Sequence, residues 1–308
     1  MSIGRYNPTF MKAMILAAGL GTRLRPLTDK KPKALVPVVN RPIIARVIDY
    51  LKSHDVTQMV VNAHHHYQQL LDFLEDETFG VHIELRVEPE ILGTGGGIKN
   101  TSGFWDDEPF IVINSDILTD IDLSRAYEYH QKTGGLATLI LHDYKPFNQV
   151  QTDNNHLITD FFPKSGPGRL AFTGIHILDP AIFYAFPQEQ SFNIIACYRQ
   201  LIQSKKKIRA FISEGHYWHD VGSIDGYVQA NKSLLNDTVA AGTGCRIDPS
   251  TRLEEWVVVG DGSRIERDVE LRRCILWETV TVGKGVKVID SIVTSNREVT
   301  RDLNDQIY

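Results

Sequence analysis

Between residues 13 and 142, short apolar runs alternate with amphipathic stretches. The runs Ala13–Leu16, Met59–Val61, His82–Val87, Phe110–Ile113 and Ala137–Leu141 have strand length and end in polar or turn-forming residues. Between them Ile43, Ile44, Val47, Ile48 and Leu51 recur at helical spacing, with Pro42 at the first helical position. Leu70, Leu71 and Leu74 form a second apolar face, and Leu123–Thr133 reads as a third helix ending before Gly134 and Gly135. This alternation predicts an α/β fold with a mostly parallel sheet and helices on both faces. Ligands of such sheets sit outside the carboxyl ends of the strands. The Gly19–Arg25 loop and Asn114-Ser115-Asp116 both fall there.

From residue 155 to 236 the pattern is mixed, with strands expected at Ala171–Leu178 and Ile208–Ile212 and a closing helix at Ile224–Leu235. This region is expected to supply the wall for a second substrate. After Asn236 helical periodicity disappears. Trp256-Val257-Val258-Val259 aligns with Cys274-Ile275-Leu276-Trp277 eighteen residues on, and Asp290 aligns with Arg273 seventeen residues back. Cys274, Val280, Val286 and Ile292 recur every six residues. Such spacing suggests coils of a short β-helix made of hexapeptide repeats; two or three hairpins are the alternative. The expected division is therefore residues 1–236 and 237–308. So few coils leave an end to cover, by packing on the first domain or by homo-oligomer formation.

Composition narrows the class. The 308 residues carry 42% hydrophobic and 23% charged residues, an ordinary soluble balance. A net charge of −5 disfavours nucleic acid as a partner held by overall charge. Any anionic substrate must then be met by placed Arg and Lys. No stretch reaches the ~20 apolar residues of a membrane span. Cys197, Cys245 and Cys274 are widely spaced and odd in number, which speaks against a disulfide framework or zinc site and suits a reducing cytoplasm. The first ten residues read as an extension, with Met11 as an alternative start.

The chemistry concentrates in Leu16-Ala17-Ala18-Gly19-Leu20-Gly21-Thr22-Arg23-Leu24-Arg25-Pro26-Leu27-Thr28, followed by Lys31-Pro32-Lys33-Ala34-Leu35-Val36-Pro37. Gly19 and Gly21 let backbone N–H groups approach phosphate oxygens, and the cations can meet their charge. The loop is neither a Walker loop nor a dinucleotide fingerprint: no Gly-Lys-Ser/Thr follows, and Leu24 stands where a third glycine is needed. A structural βα turn with solvated basic residues is the plain alternative. The full string closely resembles the signature of the sugar-1-phosphate nucleotidylyltransferases, and the similarity extends over residues 12–236.

That resemblance implies a Rossmann-like catalytic domain with an appended left-handed β-helix. It implies transfer of a nucleotidyl group from a nucleoside triphosphate to a sugar 1-phosphate, with release of pyrophosphate. Leu16, Ala17, Ala18, Gly19, Gly21, Thr22 and Arg23 would hold the nucleotide; Arg23 would clamp pyrophosphate and Lys33 would neutralise charge at the α-phosphate. Glu90-Ile91-Leu92-Gly93-Thr94-Gly95-Gly96-Gly97 is similar to the segment lining base and ribose, which brings in Glu90, Gly93 and Thr94. Its glycines would permit flat approach of a base; a glycine loop opening a helix is the alternative. Asp116, and Asp220 within Trp218-His219-Asp220-Val221-Gly222, match the ligands of Mg²⁺. Gly174, Lys164 and Asn193 match or neighbour positions that meet the sugar phosphate, although Asp160–Lys164 lacks the usual glutamate. The Leu-Gly-Thr-Gly-Gly-Gly string resembles mannose- or heptose-1-phosphate guanylyltransferases. N-acetylmuramate-1-phosphate uridylyltransferases are the next match, and cytidylyl transfer a lesser one. A silent nucleotide-sugar-binding regulatory subunit is the rival from another class. His64, His65 and His66 cannot all face one ion on a regular element and read as a strand-end loop. Lys205-Lys206-Lys207 reads as a solvated helix end.

Overall fold

The computed structural model describes residues 11–308; the expected N-terminal extension lies outside the described residues. The chain divides into two compact units: the chain up to Leu20 with Val47–Trp218, and Gly21–Arg46 with His219–Tyr308. The helix α1, Ile43–Lys52, runs across this division. Its apolar face is the expected one, with Ile43, Ile44, Val47, Ile48 and Leu51 all buried. Pro42 lies one residue before it, in a short strand paired with Pro37.

The first unit is built on one mixed sheet. Its strands are β1 Met11–Leu16, β2 Val56–Ala63, β3 His82–Val87, β4 Phe110–Asn114, β5 Ala137–His142, β6 Asn148–Thr152, β7 Ile158–Phe161, β8 Leu170–Leu178 and β9 Ile208–Ile212. The order is β7-β6-β8-β4-β1-β2-β3, with β5 on β8 and β9 on β5. Strands β3, β2, β1 and β4 are mutually parallel, and β8 joins β4 antiparallel. Near-continuous apolar sequence explains the parallel part: Ala13, Met14, Ile15, Ile111, Val112 and Ile113 are all fully buried. The helices of this unit are α2 Tyr67–Asp76, α3 Gly93–Lys99, α4 Leu123–Thr133 and α5 Ile194–Gln203. Asp122 caps α4 by accepting from the Arg125 N–H, and Gly134 ends it at φ 63°. Strands β6 and β7 and helix α3 escape the apolar pattern, because Gln149 and Gln151 interrupt one and glycines fill the other.

The second unit contains α6, Ile224–Ser233, followed by short parallel strands. Val239 pairs with Val257, Val257 with Cys274 and Ile275 with Ile292, offsets of eighteen, seventeen and seventeen residues. A second parallel set aligns Arg246, Arg264, Thr281 and Glu298. The parallel ladders contradict the hairpin alternative. One alignment needs correction: the partner of Cys274 is Val257, not Trp256, because an irregularity between Glu254 and Val257 absorbs one residue. The slip matters because it carries Val257 into the interior and leaves Trp256 half-buried. Cys274, Val280, Val286 and Ile292, the six-residue series, are all buried. At one corner Glu255, Arg273 and Asp290 all adopt positive φ, and Arg273 pairs with both carboxylates. None of the described helices is long and apolar enough to cross a membrane.

Three histidines are buried in the first unit. His130 Nδ1 lies 2.8 Å from Thr138 Oγ1, and His176 pairs with the Tyr198 hydroxyl. Burial pushes His130 and His142 down to about 4, the latter helped by His216, and His176 down to about 3. The unfolded chain, with histidines near 6.5, therefore binds more protons than the native state below that pH. The stability these groups supply is complete above about pH 6.5 and is lost as pH falls toward about 4. Urea midpoints are expected to be flat above pH 7 and to fall steadily from 6.5 to 4; unchanged midpoints down to pH 4 would contradict this.

Candidate active site

In the first unit the parallel register sets Leu16, Asn62 and Asn114 side by side at the carboxyl ends of β1, β2 and β4. The Ser115 N–H donates to the Leu16 carbonyl at 3.0 Å, which holds the two strand exits together. Asn114 faces Gly174 of β8, where φ is +81° and a Cβ would lie 2.7 Å from Asn114 Nδ2. Gly174 is thus required here both by conformation and by the amide beside it. Asp116 follows on the same exit and is half-buried. A Cβ added at Gly19 would meet nothing within 4 Å, so the backbone here is open to a ligand.

A buried polar bridge supports this edge. The Ala17 N–H donates to Asn62 Oδ1 at 2.8 Å, and Asn62 Nδ2 donates to Glu88 Oε1 at 2.7 Å. Glu88, 1% exposed, also accepts from the Leu92 N–H at 3.2 Å, and its carbonyl lies 2.7 Å from His64 Nδ1. Gly97 makes room, since a Cβ there would lie 2.7 Å from Asn62 Nδ2 and 2.9 Å from Glu88 Oε1. One carboxylate therefore ties the exit of β1 to the segment entering α3. Neither Asn62 nor Glu88 stands out as a site residue in the sequence; the only signal is an amide and a carboxylate at the ends of two adjacent strands.

Part of the glycine segment is spent on packing. Gly95 and Gly96 are packed against the Phe192 ring and the Gln190 carbonyl, and their N–H groups donate to the Phe192 carbonyl at 3.0 and 3.2 Å. The glycines thus close protein on protein. Thr94 Oγ1 accepts from the Ile194 N–H, and Asn193 Oδ1 from the Ile195 N–H, both at the start of α5. Glu90, Asn193 and Lys164 are exposed, while Gly93 is half-buried with its Cβ direction toward the Phe192 carbonyl. The His64–His66 stretch forms the β2–α2 connection, and among the described residues no three His, Cys, Asp or Glu side chains gather as a metal site.

In the second unit the chain from Gly21 to Thr28 folds back on itself. The Gly21 carbonyl accepts from Thr28 Oγ1 at 2.8 Å and from the Leu24 N–H at 2.9 Å, and buried Leu24 and Leu27 anchor the turn. Gly21 sits at φ +63°, and a Cβ there would lie 3.2 Å from Lys33 Cβ. Lys33 is thus rooted against the loop despite its distance in sequence. The strand-like segment after it is held by α6: Tyr227 Oη donates to the Pro37 carbonyl, and the Val39 N–H donates to Asn231 Oδ1, each at 2.8 Å. Arg23 and Asp220 meet over Gly222, where a Cβ would lie 2.7 Å from Arg23 Nη2 and 2.5 Å from Asp220 Oδ1. A cation for phosphate oxygens and a carboxylate for a hard cation therefore adjoin.

A family model, Nucleotidyl transferase, matches residues 12–237. The chain belongs to this family. Among curated relatives, D-glycero-alpha-D-manno-heptose 1-phosphate guanylyltransferase of Campylobacter jejuni is 31% identical, over 70% of this chain and 97% of its own. Mannose-1-phosphate guanyltransferase of Aspergillus fumigatus is 30% identical, over 94% of this chain and 87% of its own. UTP–glucose-1-phosphate uridylyltransferase of Synechocystis is 27% identical, over 92% of this chain and 87% of its own. The crystal structure of HddC from Yersinia pseudotuberculosis, complexed with GMP-PN, shares the fold at TM-score 0.65 and 23% identity, over 73% of this chain and all of that one.

The glycines separate experimentally. Gly96→Ala drives a Cβ into a backbone carbonyl and is expected to cost at least about 1–3 kcal/mol, whereas Gly19→Ala is expected to leave stability unchanged or slightly raised. Denaturant titration of both variants checks the contrast; equal midpoints would contradict the packing role.

Proposed function

We propose that this protein is an enzyme joining a nucleoside triphosphate to a sugar 1-phosphate, giving a nucleotide sugar and pyrophosphate. The observation that carries the reading is the meeting of Arg23 and Asp220 over Gly222, in a unit where Lys33 is rooted against the Gly21 turn. Family membership supports the same reaction class. The backbone from Leu16 to Thr22 receives the phosphates, Arg23 steadies the pyrophosphate as it leaves, and Lys33 faces the charge that grows at the α-phosphate. The sugar phosphate oxygen attacks the α-phosphorus in line with the leaving pyrophosphate. No side chain forms a covalent intermediate, so the protein's contribution is positioning and charge. Gly174 and Asn114 form one wall for the sugar phosphate, and Lys164 is an exposed cation assigned to it by the family resemblance.

Asp116 and Asp220 are assigned to Mg²⁺. Their chemistry fits, since each offers the hard carboxylate oxygens that such an ion takes. A divalent ion held by these residues would supply positive charge to offset that of the phosphates and Lewis acidity at the α-phosphate. We further infer that the parallel C-terminal strands form a short left-handed β-helix, on the support of the seventeen- and eighteen-residue offsets and the buried six-residue series.

Guanylyl transfer to mannose 1-phosphate or a related sugar is the preferred assignment, supported by the Campylobacter and Aspergillus relatives. Uridylyl transfer is the second reading, supported by the Synechocystis relative. Pyrophosphate release over four triphosphates and a panel of sugar 1-phosphates decides between them. Asp116→Asn is expected to lower release by at least about a hundredfold, as loss of a group stabilising transition-state charge does. Near-normal turnover of that variant would remove Asp116 from the metal site, and no turnover across the panel would favour a regulatory subunit.

A further inference from the structure

In the first unit, residues 187–193, which lead into α5, lie along the segment that opens α3 and are tied to it along their length. At the last residue of α3, Lys99 Nζ donates to the carbonyls of Pro187, Gln188 and Glu189 at 2.7, 3.1 and 3.2 Å. Bonds from an ammonium are stronger than neutral ones, so this is a firm clasp. Ser191 Oγ donates to the Ile91 carbonyl at 3.3 Å, and the Phe192 N–H to the Leu92 carbonyl at 3.0 Å. The Phe192 carbonyl in turn accepts from the N–H groups of both Gly95 and Gly96. The Phe192 ring is anchored from behind. It meets Phe186 at 5.3 Å between centres, Phe186 meets Phe183 at 5.4 Å, and Phe183 meets Phe110 at 5.8 Å. Phe186 and Phe110 are buried, and Phe110 begins β4. Glycines have no side chain to pack and the widest choice of backbone conformation, so residues 93–97 are not held in one shape by their own composition. The clasp and the anchored ring supply that order from outside.

We propose that residues 187–193 are a strap that positions residues 90–94 for the nucleoside part of the triphosphate, with Phe192 and Lys99 as the positioning residues. Leu92 is held from both sides: its N–H donates to Glu88 Oε2, and its carbonyl accepts from Phe192. Gly93 and Thr94 follow directly, and Thr94 Oγ1 is fixed by the Ile194 N–H just beyond the strap. A shift of the strap therefore carries this segment with it. The positioning role rests on the reading, carried by the family resemblance, that residues 90–94 line base and ribose; the strap's hold on the glycines does not.

Amide hydrogen exchange on the full chain reads the hold. Lys99→Met and Phe192→Leu are each expected to speed exchange at Gly95 and Gly96 about fivefold or more, and Lys99→Arg, which keeps charge and donors, to recover most of the protection. The Lys99 variants keep the test decisive should Phe192→Leu fail to fold. Calorimetry with the four nucleoside triphosphates reads the positioning. Whichever binds the native protein best is expected to be weakened about tenfold in Lys99→Met and Phe192→Leu and much less in Lys99→Arg. With a substrate pair that turns over, the KM for the triphosphate is expected to rise by a similar factor, while kcat and the KM for the sugar phosphate move less than about threefold. General loosening of the fold does not give that split. Unchanged exchange at the glycines overturns the strap. Faster exchange with unchanged triphosphate affinity, or equal weakening of both substrates, overturns the positioning role alone. Native protein that binds no triphosphate overturns the nucleotide reading and the positioning role with it, so the two failures are told apart by the native protein.

Discussion

Register between parallel strands is the constraint on which the site depends. Leu16, Asn62 and Asn114 lie level because β1 pairs in step with β2 on one side and β4 on the other. A shift of one residue would turn each side chain to the opposite face. The exits of these strands would then no longer present Gly19, Asp116 and Gly174 at one edge. The apolar interior of the strands fixes that step, since Met14, Val60 and Val112 are all buried without exposure. The placement of these residues in the first unit is thus a consequence of core packing two to four residues away.

The polar groups at this edge form a second level of control. Glu88 is a buried carboxylate that accepts from a side-chain amide and a backbone N–H. Removing one partner of such a group leaves the other buried and unsatisfied, which is costly. The bridge from Ala17 through Asn62 to Glu88 and Leu92 therefore resists changes in the spacing between two loops. In the second unit the equivalent part is played by Tyr227 and Asn231 of α6, which hold the segment after Lys33. Trp277 extends that support into the parallel strands by donating to Tyr227.

Much of this was legible in the sequence because the relevant information is local. Uninterrupted apolar runs mark β1, β4 and β5, and the Gly19–Lys33 stretch holds its glycines and cations close together in sequence. The strands β3 and β9 and the helix α4 have the bounds their patterns predict. What was not legible depends on contacts distant in sequence. Gly95 and Gly96 read as a surface for a base, but they are spent on Phe192 and Gln190, about a hundred residues on. Asn193 and Thr94 read as ligand contacts, and their oxygens serve the start of α5. Glu88 carries no mark in sequence beyond following a strand. The one-residue slip at Glu254–Val257 was invisible because valines at 257, 258 and 259 fit either register.

In the proposed reaction, positioning and charge alone transfer the nucleotidyl group, without a covalent enzyme intermediate. A nucleoside triphosphate made chiral with sulfur at the α-phosphorus tests this most directly, once an accepted substrate pair is known. A single in-line displacement predicts inversion of configuration in the nucleotide sugar. Retention, the mark of two successive displacements, would contradict the account.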